Sequence, residues 1–97
     1  MAEEYFVYIM ANKQHGTLYI GSTLNLSQRM AQHKSRKGSY FTSQYNLHKL
    51  VYLEKLESFD DMLARERRLK KYNREWKLNL INTQSPGWWD LSLELEV

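Results

Sequence analysis

Five side chains of this 97-residue chain carry types that, brought together, would serve one reaction: Tyr8, Tyr19, Arg29, His33 and Glu66. Hydrolysis of a phosphodiester needs a hard oxygen ligand to hold a divalent metal. It needs a cation to meet the negative charge that builds on phosphorus. It also needs a tyrosine or histidine to move a proton to or from the attacking water. Each residue has a plainer reading beside this one. Strand tyrosines are commonly amphipathic packing residues, and Glu66 with Arg29 could form a structural ion pair.

The elements that must position them follow from pattern. Tyr5 to Met10, "YFVYIM", is a short run of β-formers, and Thr17 to Gly21 is a second. The turn-prone "ANKQHG" between them predicts a β-hairpin with a longer loop. If Met10 pairs with Thr17, Tyr8 faces Tyr19 on one side of the sheet. Asn25 reads as a helix cap, with Gln28 completing a capping box. The helix would run from about Leu26 to Arg36 and end near Gly38. At about 100° per residue, Leu26, Arg29, Met30 and His33 share a side, so Arg29 and His33 flank a buried stripe. Lys49 to Glu57 reads as a third strand. Ser58, with Asp60 and Asp61 in the next turn, starts a helix running to about Tyr72 or Asn73. Phe59, Met62, Leu63 and Leu69 mark its apolar stripe. Glu66 sits within that stripe, a costly place for a carboxylate without a partner. A further helix covers about Arg74 to Asn82, and "SPGWWDL" stops it and docks its tryptophans. The expected fold is α+β: one domain over residues 1–97, a small three-stranded antiparallel sheet flanked by helices, in the order β-β-α-β-α-α.

Composition narrows the classes. There is no cysteine, so disulfides, thiolate zinc sites and a cysteine nucleophile are excluded, and a reducing cytoplasm is the expected location. No apolar segment is long enough to span a membrane, so no membrane partner is expected. Fourteen Lys and Arg stand against eleven Asp and Glu, a net charge of +3. Residues 65–77, "RERRLKKYNREWK", hold seven Lys or Arg against two Glu. This stretch (Arg65, Arg67, Arg68, Lys70, Lys71, Arg74 and Lys77), with Lys34, Arg36 and Lys37, is the candidate phosphate-binding surface, although a solvated helix face would read the same way. Tyr40, Phe41 and Tyr45 are candidates for contact with an unpaired nucleotide. Trp76, Trp88 and Trp89 are expected to pack against the body, and His15 and His48 to be solvated.

The pattern V-Y-I at residues 7–9, L-Y-I-G-S-T at 18–23, N-L-x-x-R-M-x-x-H at 25–33 and A-R-E at 64–66 resembles the GIY-YIG nuclease superfamily, in its small stand-alone members. "REWKLNLI" followed by "PGWWDL" is similar to the C-terminal part of that branch. The resemblance covers nearly the whole chain. It implies a three-stranded antiparallel sheet with flanking helices, and metal-dependent hydrolysis of nucleic acid, with Mg²⁺ or Mn²⁺ as cofactor. It places the metal on Glu66, the scissile phosphate on Arg29, water activation on Tyr8 or Tyr19, and a base or positioner at His33. Gly21 would allow close approach of backbone or substrate. The first motif departs from G-I-Y while keeping its tyrosine. Asn73, Asn79 and Asn82 are the candidates for the asparagine that lines the site in many members. DNA is the expected partner ahead of RNA, bound weakly and with strong salt dependence. Two other classes stay open: a nucleic-acid-binding module that cleaves poorly or needs a protein partner, and a structural role for the whole network.

Overall fold

A computed structural model of the chain describes residues 3–34 and 46–94. The three strands β1 (Tyr5–Ala11), β2 (Leu18–Thr23) and β3 (Lys49–Leu56) form one antiparallel sheet in the order β2-β1-β3. The helices are α1 (Leu26–Lys34), α2 (Phe59–Lys71) and α3 (Arg74–Gln84), followed by a 3₁₀ turn at Leu91–Glu94. The α+β order β-β-α-β-α-α is therefore the one expected from the sequence.

The central strand explains its own composition. Val7 to Ala11 are all fully buried, because both faces of the sheet are covered. A strand buried on both faces reads as a continuous apolar run instead of an alternation. On one face Val7, Ile9, Ala11 and Ile20 pack with Met62 and Leu69 of α2, Ile81 of α3 and Trp88. On the other, Tyr8 and Met10 pack with Leu26 and Met30 of α1, Leu47 and Leu50. A bulge between Ile9 and Met10 lets β3 place Tyr52 opposite Ile9 and Leu50 opposite Met10.

The hairpin register differs from the expected one by two positions. Met10 pairs with Tyr19, not Thr17, and Tyr8 pairs with Gly21. The cause lies in the loop. Asn12 Oδ1 accepts the Thr17 N–H at 2.9 Å, so a side chain takes the place of a strand carbonyl and pairing starts only at Leu18. His15 adopts φ 57°, and the Gly16 N–H donates to Lys13 O at 3.0 Å. A shift of two preserves side-chain parity. Tyr8 and Tyr19 therefore still share a face, as diagonal neighbours with ring centroids 6.5 Å apart.

Each helix is started by a side chain. Asn25 Oδ1 accepts the Gln28 N–H at 3.1 Å, while Asn25's own N–H goes to Thr23 Oγ1 instead of completing a capping box with Gln28. Ser58 caps α2 through the Asp61 N–H, and Asn73 caps α3 through the Trp76 N–H. The "SPGWWDL" segment docks one tryptophan of its two. Trp88, at φ 58°, is fully buried with its Nε1–H on Asn82 Oδ1 at 2.9 Å, whereas Trp89 points outward and is 69% exposed. Trp76 is also more than half exposed, with its ring edge-on to Tyr72. Asp90 ties the tail down. It accepts hydrogen bonds from Lys34, from the Leu50 N–H, and from the N–H and hydroxyl of Ser92.

Candidate active site

The alternation of β1 and β2 sends Tyr8, Tyr19 and Gly21 to the face covered by α1, and helical spacing points Arg29 and His33 of α1 back at them. Tyr8 is fully buried and His33 is 2% exposed. Tyr8 Oη lies 3.0 Å from His33 Nε2. The His33 ring stands edge-on to both tyrosines, with centroids at 5.6 and 5.7 Å. Its Nδ1 is buried with no partner among the described residues. Burial, aided by the Arg29 charge, lowers the His33 pKa to about 4, so the ring is neutral at pH 7. Burial also makes Tyr8 hold its proton well above the usual phenol range, with the neighbouring Tyr19 and Glu66 adding to that and Arg29 opposing it. Tyr8 and His33 are thus a dry, neutral pair. Tyr19 and Arg29 beside them are only half-buried.

Gly21 makes room for a neighbouring side chain. A Cβ at this position would lie 2.6 Å from Tyr8 Oη and 2.7 Å from Cζ. The missing side chain is what lets the Tyr8 phenol lie across β2 toward His33.

Glu66 approaches from the other face of the sheet. The side of α2 that holds Met62 and Leu69 over the core also carries Glu66, and β2 is the edge strand, so the carboxylate reaches the rim of the sheet. Ser22 Oγ donates to Glu66 Oε1 at 2.5 Å, and Lys70 Nζ pairs with Oε2 at 2.9 Å. The partner of Glu66 is therefore Ser22 with Lys70; among the described residues no ion pair joins it to Arg29. Ser22 is the residue that the sequence reading missed. Its alternation with Tyr19 and Gly21 carried the signal, since it must point to the α2 face.

A divalent metal fits here under one condition. Among the described residues no three His, Cys, Asp or Glu converge on a common point. Glu66 offers one hard oxygen ligand with a side chain 19% exposed. Mg²⁺ commonly keeps several waters and takes one or two carboxylates plus substrate phosphate. The donor set suits a metal shared with a phosphate, not a cage built from protein alone. The Lys70 ammonium would have to yield Oε2.

The basic stretch does not form one face. Arg65 is held by Glu54 at 2.9 Å and lies against the Tyr72 ring. Arg74 donates twice to the hairpin loop, to His15 O and Gly16 O, each at 2.7 Å. Lys34 is paired with Asp90 at 2.5 Å. Arg67, Arg68 and Lys71 are exposed, turned about 100° to 200° around α2 from Glu66. Lys70 is the cation of α2 that stands with Glu66, and Lys77 of α3 lies near Tyr19 along β2. Helical periodicity splits the run, which its one-dimensional density hid. Arg36, Lys37, Tyr40, Phe41 and Tyr45 lie outside the described residues. None of the three asparagines joins the cluster. Asn73 caps α3, Asn82 holds Trp88, and Asn79 lines a separate notch with Tyr72 and Trp76. His15 packs edge-on to Trp88, and His48 Nδ1 lies 2.9 Å from Asn46 O.

Comparison with known proteins gives the family. The sequence pattern of the GIY-YIG catalytic domain matches residues 4–79. A UPF0213 protein of Syntrophus aciditrophicus is 40% identical over 82 residues, covering 84% of this chain and 92% of its own. UPF0213 proteins of Staphylococcus haemolyticus and Clostridium perfringens are 35% and 38% identical, covering 80% and 82% of this chain and 94% and 85% of their own. No solved structure matches the chain. With that domain pattern matched across most of its length and relatives at 35–40% identity, the chain belongs to the GIY-YIG nuclease family.

Proposed function

We propose that the chain is a metal-dependent endonuclease domain that hydrolyses phosphodiester bonds in DNA, preferring structured, damaged or single-stranded forms. The observation that carries this reading is that a half-buried phenol, Tyr19, a guanidinium, Arg29, and a carboxylate, Glu66, all surround and act on the same buried Tyr8 hydroxyl, with the two tyrosine rings 6.5 Å apart. In this reading Arg29 holds a non-bridging phosphate oxygen and offsets the charge that develops there. Tyr19 is the phenol open to solvent, and it handles the proton of a water attacking in line. Tyr8 and His33, closed from solvent, act as positioning residues that fix the Tyr19 ring. Glu66, oriented by the Ser22 hydroxyl, holds the cofactor, Mg²⁺ or Mn²⁺. A metal bound there would supply Lewis-acid stabilisation of charge on the phosphate.

A second reading has its own support. The Lys70 ammonium already neutralises Glu66. A domain that keeps this pair closed would bind nucleic acid and cleave only when a protein partner or the substrate opens it. The test is incubation of the purified protein with labelled single-stranded, duplex, flapped and branched DNA, and RNA, in Mg²⁺, Mn²⁺ or chelator. Metal-dependent cleavage lost in Glu66→Gln is expected. Binding without cleavage in every metal would sink the nuclease reading and leave the binding module.

A further inference from the structure

Two depressions adjoin each other beside the cluster, beginning at Tyr19. One, of about 270 Å³, is lined by Leu18, Tyr19 and Ile20 with Lys70 and Lys77. The other, of about 640 Å³, lies at the hairpin loop and includes Lys13, Leu18, Arg74 and Lys77. Leu18 and Lys77 belong to both, so the two form one groove from Tyr19 along the free edge of β2 to the loop. Four cations line it, of which Lys70, at the near end, is paired with Glu66. Lys13 and Lys77 form no ion pair among the described residues. Arg74, through its two bonds to the loop carbonyls, fixes the far wall. A depression beside the opposite end of β2, near Phe6 and Leu24, is lined by Glu3 and Glu4 and would repel phosphate.

We infer that this groove carries one nucleic-acid strand away from the scissile phosphate, in the direction of the hairpin loop, with Lys70, Lys77, Lys13 and Arg74 as successive phosphate contacts. The inference rests on the nuclease reading for the position of the scissile bond. An edge strand leaves backbone N–H groups without sheet partners, and these can bind phosphate oxygens. Half-buried Leu18, with Tyr19 at the near end, gives the groove floor apolar surface against which an unpaired sugar and base can lie. A duplex would present only its phosphates and leave that floor wet. From Tyr19 to the loop is about 7–10 Å at the rise of a strand, which is room for roughly three stacked nucleotides at about 3.4 Å each.

The experiment measures binding of fluorescent single-stranded oligodeoxynucleotides in chelator, across a salt series, for wild type and the double variant Lys13→Gln/Lys77→Gln. Lys13→Gln alone, at an exposed position, serves if the double variant melts early. Lys55→Gln, whose lysine pairs with Glu4, is the control. The double variant is expected to weaken binding about tenfold and to reduce the slope of log K against log salt by about 1.4, or about 0.7 for each contact removed. Lys55→Gln should leave both unchanged. Because the chain has no cysteine, Lys13→Cys carries a single photocrosslinker, expected to label nucleotides on one side only of the cut site. Unchanged affinity and slope, or labelling on both sides, overturns the groove. If cleavage persists while the groove variants bind normally, the groove alone is wrong. If no metal supports cleavage while the salt slope still drops, the nuclease reading fails and the groove stands.

Discussion

The two sides of β2 hold the same candidate site in opposite ways. On the α1 side, Tyr8 and His33 are sealed, neutral and joined by a hydrogen bond, with the Arg29 guanidinium also acting on the Tyr8 hydroxyl. On the α2 side, the Glu66 side chain keeps 19% exposure and is shared between a hydroxyl and a lysine side chain that is 56% exposed. A buried polar pair is costly to disturb, because any group left unpaired keeps its full desolvation penalty. An exposed ion pair is cheap to exchange. The sealed side is built to fix geometry, and the open side to trade partners.

Tyr19 stands between the two sides, and its removal should have the largest effect. Tyr19→Phe is expected to lower the cleavage rate about 10³-fold, within the range for a general acid or base, while changing the melting temperature little. The comparison is between single-turnover rates and thermal melts of the same preparation. If Tyr8→Phe costs more rate than Tyr19→Phe, the roles assigned to the two phenols are reversed.

Acid should unfold the protein from the sealed side first. The folded-state pKa of His33 lies below its ordinary 6.5, at about 4. The unfolded chain therefore binds a proton that the folded chain refuses. Stability from this source is complete above pH 6.5 and is lost as the pH falls toward 4, by roughly 3 kcal/mol in all. Asp90 contributes only lower down. Burial opposes its ionisation, but the bonds from Lys34, Ser92 and Leu50 outweigh it and hold the carboxyl below the usual carboxylate range. Urea melts between pH 7 and pH 5 isolate the histidine, and His33→Leu should flatten that slope. A slope unchanged in the variant would place the titrating group elsewhere.

Tyr8→Phe and Gly21→Ala attack the same hydrogen bond from its two ends. Tyr8→Phe strips His33 Nε2 of its partner in a ring whose Nδ1 already has none, a cost of about 1–3 kcal/mol. Gly21→Ala drives a methyl into the Tyr8 phenol and should cost a similar amount, about 2 kcal/mol. The double variant is the sharper measurement. Both changes remove one interaction, so their costs should fall well short of adding. Full additivity would show that Gly21 acts through something other than Tyr8.

Much of this geometry was legible in the sequence because it follows from period. Alternation put Tyr8 and Tyr19 on one face, and that survived a register error of two, since parity is what the face depends on. Helical spacing brought Arg29 and His33 together and put Glu66 toward the sheet. What was not legible depended on single side chains acting at a distance along the chain. Asn12 sets the hairpin register by standing in for a carbonyl. Ser22 meets Glu66 across 44 positions. The basic run looked like one face because density along the chain does not show direction around a helix. Arg65 is taken up by Glu54, and Arg74 turns one side of its guanidinium to the hairpin loop.

Lys70 gives the smallest effect and the finest test of the open side. As an exposed pair four residues from Glu66, it should contribute only about 0.3–0.5 kcal/mol, so Lys70→Met should barely move the melt. Its consequences for binding should go in opposite directions. Without the ammonium on Oε2, Glu66 is free for a divalent cation, and Mn²⁺ titrated into the DNA-free protein should half-saturate at a several-fold lower concentration. Without the same ammonium in the groove, single-stranded DNA in chelator should bind more weakly, with a shallower salt slope. A change in metal affinity alone would leave Lys70 as a competitor for the carboxylate with no part in the strand path. A change in DNA affinity alone would mean that the pair opens without cost whenever metal arrives. Both changes together would make Lys70 the residue that passes from carboxylate to phosphate as substrate and metal enter, which is the exchange that the open side of β2 is suited to perform.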